Sequence, residues 1–373
     1  MSSSRSPRID LIAGARPNFM KISSILRALE ANDAAKKSLR HRLVHTGQHY
    51  DARMSGDFFA QLDIPAPDVN LEVGSGTQAE QTAAIMVRYE ELLLRDRSDL
   101  CLVVGDVNST MACAIAAKKV GVPVAHVEAG IRSGDWTMPE EINRVVTDSI
   151  ADMFFTTSEL AGENLRNVGA PAERIFFVGN TMIDTLQANL HKLVQPEFWD
   201  GVGLTRGDYV VVTLHRPANV DNLSGFENLV QQIAGCAGDH LVVFPAHPRT
   251  AKTLGRITKL PKNLVVVPPQ AYLEFVFLVK HSMCVVTDSG GITEETTVLG
   301  IPCMTLRDST ERPETVSVGT NELLGTKPSA LRPAFERLFA GQWKKGSIPL
   351  KWDGHSGERI VTVLQTLLTN KPA

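Results

Sequence analysis

Val285-Val286-Thr287-Asp288-Ser289-Gly290-Gly291-Ile292-Thr293-Glu294-Glu295 is the stretch whose reading decides the fold. Its apolar start fits a buried parallel strand, breaks at Ser289-Gly290-Gly291, and passes into a segment, 292–299, with helix-compatible spacing. Strand, glycine turn and helix start in succession present backbone N–H groups and the positive end of a helix dipole beyond the strand. The two glycines let an anion approach closely. The junction is a candidate phosphate site, although an ordinary βα loop with glycines for the turn alone reads the same way.

Outward from it, short apolar runs alternate with longer amphipathic ones. Residues 9–13, 41–46, 100–104, 122–126 and 153–156 read as strands, and 20–32, 77–95, 109–120 and 140–150 as helices. Another strand, 175–178, leads into Gly179-Asn180-Thr181. Trp, Pro and Gly then cluster over 196–207, after which strands are expected at 210–214, 241–245, 264–267, 284–286 and 302–306. Such βα alternation implies largely parallel sheets covered on both faces, with ligands bound past the carboxyl ends of the strands. The expectation is an α/β chain of two doubly wound domains, 1–183 and 184–355, with a helix over 356–370 packing back on the first. Facing domains of this kind leave an interdomain cleft, where a ligand is expected.

Composition limits the partners. The 373 residues carry a formal net charge of -3 and 21% charged residues, which argues against a nucleic-acid or membrane footprint and makes a small anion the expected partner. Five scattered cysteines without C-x-x-C spacing read as small buried hydrophobes in a reducing compartment, with neither a zinc site nor a disulfide framework. The polar start has no signal-peptide core, and no segment reaches the ~20 apolar residues of a membrane span. A cytoplasmic location is expected.

Several strand ends carry charged groups. Gly14-Ala15-Arg16-Pro17-Asn18-Phe19-Met20-Lys21 puts Arg16 and Lys21 at a helix N-terminus, unfavourable for the dipole and sensible for an anionic ligand. Its glycine spacing fits neither G-x-G-x-x-G nor a Walker loop. In Gly105-Asp106-Val107-Asn108-Ser109, Asp106 is either a helix cap or a functional carboxylate. Glu128, ending the apolar strand of His126-Val127-Glu128-Ala129-Gly130-Ile131-Arg132, is either paired with Arg132 or used. Glu140, in Pro139-Glu140-Glu141, is equally readable as an ordinary helix start. His215 and Arg216 stand at a strand terminus, where they can meet a phosphate or transfer a proton. Phe275 is either core or the flank of a flat base.

In these same residues the sequence resembles the non-hydrolysing UDP-N-acetylglucosamine 2-epimerases over nearly its whole length. The likeness rests on Arg16-Pro17 with Lys21, Gln48-His49, Gly105-Asp106, His126 to Arg132, Pro139-Glu140-Glu141-x-Asn143-Arg144, His215-Arg216, Asp288-Ser289-Gly290-Gly291-Ile292-x-Glu294-Glu295, Arg307-Asp308 and Glu311-Arg312-Pro313-Glu314. It implies two Rossmann-like domains in a GT-B-like arrangement, a homodimer, and interconversion of UDP-GlcNAc with UDP-ManNAc without cofactor or metal. By the same resemblance, Asp106, Glu128 and Glu140 move protons. Arg16, Lys21, His215, Arg216, Arg312 and the Ser289-Gly290-Gly291 turn hold the diphosphate, with His215 also able to protonate it. Phe275 lies near uracil and Glu295 holds ribose hydroxyls. Adjacent helix positions point about 100° apart, so only one of Glu294 and Glu295 is expected to face the cleft. Where many relatives carry an Arg-Gln pair of an allosteric substrate site, this chain reads Ser75-Gly76, and weak or absent substrate activation is expected. The alternatives left open are a hydrolysing epimerase, an epimerase of another UDP-2-acetamido sugar, a glycosyltransferase and a nucleotide-sugar binding protein.

Overall fold

Residues 284–287 form a strand buried on both faces, at the centre of one of two parallel sheets. The computed structural model describes residues 6–47, 59 and 61–369, and the chain divides into two compact units, 1–188 with 350–373, and 189–349. The division falls at the end of the helix Thr181–Asn189, within which the expected 183/184 boundary lies.

The first unit holds β1 (Arg8–Ala13), β2 (Arg40–His45), β3 (Val69–Asn70), β4 (Leu100–Val104), β5 (Val124–Val127), β6 (Met153–Thr156) and β7 (Ile175–Phe177) in the order β3-β2-β1-β4-β5-β6-β7. The second holds β8 (Tyr209–Thr213), β9 (Leu241–Pro245), β10 (Leu264–Val267), β11 (Cys284–Thr287), β12 (Cys303–Thr305) and β13 (Asn321–Leu323) in the order β10-β9-β8-β11-β12-β13. All pairings are parallel, and in each sheet the order reverses beside the first strand, which opens a crevice past the strand ends.

Two-sided burial explains why the strands read as unbroken apolar runs. In the second sheet Val210, Val212, Cys284 and Val286 enter one core with Phe226 and Phe244, while Tyr209, Val211 and Val285 enter the opposite core with Trp199 and Leu278. Successive side chains point to opposite faces, so both faces must be apolar. All five cysteines are buried and free. Among the described residues, no helix is long and apolar enough to cross a membrane, and no group of three His, Cys, Asp or Glu is placed to hold a metal ion.

Two features depart from the sequence expectation, the start of the first helix and the two short edge strands, whereas the last helix packs where it was expected. The first helix begins at Arg16, four residues earlier than its apolar periodicity starts, because Pro17 fits the first helical turn, where its missing N–H costs nothing. The short edge strands β3 and β13 were not expected. The last helix, Ser356–Thr369, packs on Arg16–Ala31 so tightly that a Cβ on Gly357 would lie 2.5 Å from the Ser24 carbonyl oxygen, and Asp184 accepts from Gly357 N–H at 2.7 Å. Gln48 and His49 lie outside the described residues.

Candidate active site

In the first unit, the ends of β1, β4 and β5 bring Lys21, Asp106 and Glu128 into one neighbourhood. After β4, Gly105 takes φ +70°, the left-handed conformation that glycine adopts without a Cβ penalty. A Cβ there would lie 2.9 Å from Lys21 Nζ and 3.3 Å from Glu128 Oε2, so an unsubstituted backbone is what admits that pair. Glu128, 3% exposed, ion-pairs with Lys21, and its own φ is +71°. A non-glycine residue held in this region is strained, and such strain persists where the surroundings fix it. Here the N–H groups of Glu128 and Ala129 both donate to the Phe155 carbonyl, at 3.0 and 3.1 Å. Of the two readings left open for Glu128, the pair with Arg132 is not the one formed: the left-handed turn carries Arg132 to Asp148, at 2.6 Å.

Asp106 accepts from Arg144 at 2.6 and 3.0 Å, and its carbonyl accepts from Asn143 Nδ2 at 2.8 Å. Arg144 is fixed in turn by Glu141 at 2.7 Å. Burial opposes the charge on Glu141, but the N–H groups of Ser133 and Gly134 and the Arg144 guanidinium outweigh it and hold the carboxyl below its usual range. The anchored member of the Glu140-Glu141 pair is therefore Glu141. Glu140 is half-buried and makes no hydrogen bond or ion pair among the described residues. The side chain of Arg16 lies outside the described structure.

In the second unit the organising group is Asp288, fully buried at the end of β11. Its carboxylate accepts from the N–H groups of His215 and Arg216, from Asn219 Nδ2 at 3.0 Å, and from His215 Nδ1 at 2.8 Å. Burial would raise this carboxyl, yet the bond to His215 and the other donors keep it low. An ionised acceptor at Nδ1 puts the proton there and leaves His215 Nε2 as the outward nitrogen, on a side chain 55% exposed. Arg216 donates through Nε to the Asp288 carbonyl at 3.0 Å.

Ser289 precedes the helix Gly290–Leu299 without capping it through its side chain. The first-turn N–H groups that a phosphate would use are thus not taken by the cap residue. Glu311 packs against Gly290, where a Cβ would lie 2.6 Å from its carboxylate oxygen, and Arg307 pairs with Glu311 at 2.7 Å. Burial works against the Glu311 charge, but Arg307, with Arg312 adding to it, lowers the carboxyl to about 2. A folded-state value below the ordinary 4.5 contributes stability that is complete above 4.5 and fades as pH falls towards 2. Glu311→Gln is accordingly expected to cost about 3 kcal/mol at neutral pH and to flatten the acid limb of a stability–pH curve. An unfolding midpoint at pH 7 equal to that of the parent would refute this.

Arg312 ion-pairs with Glu294, and both are buried. Glu295 is buried as well, 4% exposed, so neither member of the pair stands open. Burial, with repulsion from Glu294 and against the nearby Tyr272 hydroxyl, pushes the Glu295 carboxyl up to about 7. Phe275 is half-buried and packs against the core of Phe277, Leu278 and Val285.

The candidates thus gather in two clusters, Lys21, Asp106 and Glu128 in one unit, and His215, Arg216, Ser289, Gly290, Gly291 and Arg312 in the other. Sequence reasoning did not assign His126, Asn143, Arg144, Asp148 or Asp288. All five lie within motifs already quoted or one turn beyond, but side chains that hold other side chains leave no periodic signal.

The family model of UDP-N-acetylglucosamine 2-epimerase matches residues 32–365. The UDP-N-acetylglucosamine 2-epimerase of Methanocaldococcus jannaschii is 41% identical over 370 residues, 96% of this chain and 98% of that one. A crystal structure of the enzyme of that organism in complex with UDP-GlcNAc and UDP superposes with a TM-score of 0.84 at 40% identity, covering 96% of this chain and 99% of that chain. The UDP-2,3-diacetamido-2,3-dideoxy-D-glucuronate 2-epimerase of Pseudomonas aeruginosa is 39% identical over 364 residues, 96% of this chain and all of that one. With a family model matched over most of the chain and relatives of about 40% identity over nearly its whole length, the chain belongs to the UDP-N-acetylglucosamine 2-epimerase family.

Proposed function

We propose that this protein interconverts UDP-GlcNAc and UDP-ManNAc without net hydrolysis, by eliminating UDP and adding it back. The C2 hydrogen of the sugar has no adjacent carbonyl, so its removal needs another source of acidity. Departure of UDP from C1 supplies it by building positive charge beside C2. A carboxylate takes the C2 proton, the C2–H electron pair becomes the C1=C2 double bond of a 2-acetamidoglucal, and the C1–O pair leaves with UDP. In the return step C2 is protonated from the opposite face, and a phosphate oxygen of UDP reattaches at C1. The sequence consumes no redox equivalent.

The observation that carries this reading is the buried Lys21–Glu128 pair beside Asp106, with Glu128 held in a left-handed backbone conformation. Two carboxylates with different partners, a lysine for one and an arginine for the other, suit opposite proton-transfer roles. The second unit carries groups suited to a diphosphate. The N-terminus of Gly290–Leu299, which Ser289 does not cap through its side chain, together with Arg312 and His215 Nε2, suits a departing diphosphate. Glu295 and Phe275 remain the proposed ribose and uracil neighbours, and Glu140 a further candidate for proton transfer.

The test is proton NMR of the purified protein with UDP-GlcNAc in D2O. UDP-ManNAc is expected to appear, with deuterium at C2 of both isomers. Free ManNAc with UDP would instead mean that water captures the sugar. The 39% identity to the Pseudomonas aeruginosa protein favours one second reading, a UDP-diacetamido-uronate substrate, on which an unchanged UDP-GlcNAc spectrum would bear directly.

A further inference from the structure

His126 lies on β5, two residues before Glu128, and is wholly buried. Its Nε2 stands 2.8 Å from the carbonyl oxygen of Gly105, and its Nδ1 stands 2.7 Å from Asp148 Oδ1. The other oxygen of Asp148 accepts from the Gly130 N–H at 3.0 Å and pairs with Arg132. Burial opposes the Asp148 charge, but His126 and Arg132 outweigh it and keep the carboxyl low. Both neighbours of the imidazole are acceptors, so the ring is placed to hold the Gly105 carbonyl from one nitrogen and Asp148 from the other. The peptide that receives one of these bonds joins Gly105, at φ +70°, to Asp106. The Gly105 N–H is bonded to the Val127 carbonyl at 3.0 Å, so β5 grips this turn at both of its polar groups.

We propose that His126 is a positioning residue for the epimerisation, holding the Gly105 carbonyl so that the Asp106 carboxylate is aimed at the reacting sugar carbon. This rests on the reading of the reaction given above. Arg144 and Asn143 fix Asp106 from the side of the helix Pro139–Ile150, and His126 fixes the peptide that carries it from the side of the sheet. A displacement of the order of 1 Å in such a group costs about a hundredfold in rate.

Two amide substitutions separate this role from simple packing. The Nε2 of His126→Gln reaches as far as imidazole Nε2 and keeps the bond to Gly105, but leaves the buried Asp148 without its ring partner. The Nδ2 of His126→Asn matches Nδ1, keeping Asp148 satisfied and releasing Gly105. His126→Asn is therefore expected to be the more stable in thermal unfolding and the less active. Its kcat should fall about a hundredfold, against about tenfold for His126→Gln, with KM for UDP-GlcNAc changed less than threefold in both. Activity that instead follows stability, or kcat near the parent value in folded His126→Asn, would overturn the proposal. Should His126→Gln yield no folded protein, Asp148→Asn gives the second comparison. It loosens the far side of the ring and is expected to keep more activity than His126→Asn; the reverse order would count against the proposal. A parent protein inert towards UDP-GlcNAc would overturn the reading of the reaction and this role with it. An active parent with an unimpaired His126→Asn would overturn the role alone.

Discussion

Glu128→Gln is expected to lower kcat by about 10²–10⁴-fold while leaving the affinity for UDP within a few-fold. The amide keeps the size of the side chain and removes the basic carboxylate that would take the C2 proton. On the proposed reading, affinity for UDP rests chiefly on groups of the second unit, the turn at Ser289-Gly290-Gly291 and Arg312, which this substitution does not touch, and Lys21 keeps its charge. The same change also has a structural consequence. Lys21 and Glu128 are 10% and 3% exposed at their side chains. Removing one charge of such a pair strands the other, which costs about 3–5 kcal/mol in comparable buried pairs. Stability loss and rate loss therefore arrive together and have to be separated. Lys21→Met with Glu128→Gln removes both charges and is expected to recover much of the stability and none of the activity. Thermal unfolding and steady-state rates of the two single variants and the double variant make the comparison. If the double variant regained turnover, Glu128 would be a structural partner of Lys21 and its place in the chemistry would be lost.

This pair also marks how far the sequence could be read. The strands of both sheets were legible because burial on two faces forces continuous apolar runs, as at 100–104 and 284–287. The edge strands Val69–Asn70 and Asn321–Leu323 were not, since two or three residues paired on one side need no such run. Glu128 could be singled out as a carboxylate ending an apolar strand, but its partner could not. Spacing pointed to Arg132, four residues on, a relation that has force only on a helix. The backbone turns left-handed at Glu128, Arg132 goes to Asp148, and the cation that reaches Glu128 comes from Lys21, 107 residues earlier. Similarly, Pro139-Glu140-Glu141 gave no reason to prefer one glutamate. Glu140 was named for proton transfer by the resemblance alone, and that Glu141 is the anchored one follows from the loop at Ser133 and Gly134, whose N–H groups point at it. Asp288 was in view from the start, as the end of the deciding strand. That it gathers His215, Arg216 and Asn219 depends on β8 and β11 being neighbours in register, with Thr213 beside Thr287.

Gly130→Ala is expected to be the most damaging single-methyl addition in the first unit's cluster, costing upwards of about 4 kcal/mol, in the range reached only by gross clashes and buried defects. Gly130 has φ +79°, and a Cβ on it would lie 2.1 Å from the carbonyl oxygen of Ala161 and 2.9 Å from Leu165 Cγ. Ala161 belongs to the helix Glu159–Asn167, whose backbone cannot withdraw without breaking its own hydrogen bonds. Gly130 cannot retreat either. Its N–H is held by Asp148 at 3.0 Å and its carbonyl by Asn164 Nδ2 at 2.9 Å. Gly134, four residues on, supplies the internal comparison. It has nearly the same φ, +73°, and nothing within 4 Å of its Cβ position, so alanine there bears only the left-handed backbone penalty, about 1–2 kcal/mol. The difference between the two variants in urea-midpoint stability isolates the close approach of loop and helix from the conformation of the glycine itself. Because Glu128 and Gly130 share one short turn, any Gly130→Ala molecules that do fold must shift that turn, and their kcat should fall with KM for UDP-GlcNAc less affected. Equal stability of Gly130→Ala and Gly134→Ala would mean that the helix yields freely at Ala161, and the fixed backbone assigned to Glu128 would then have to be abandoned.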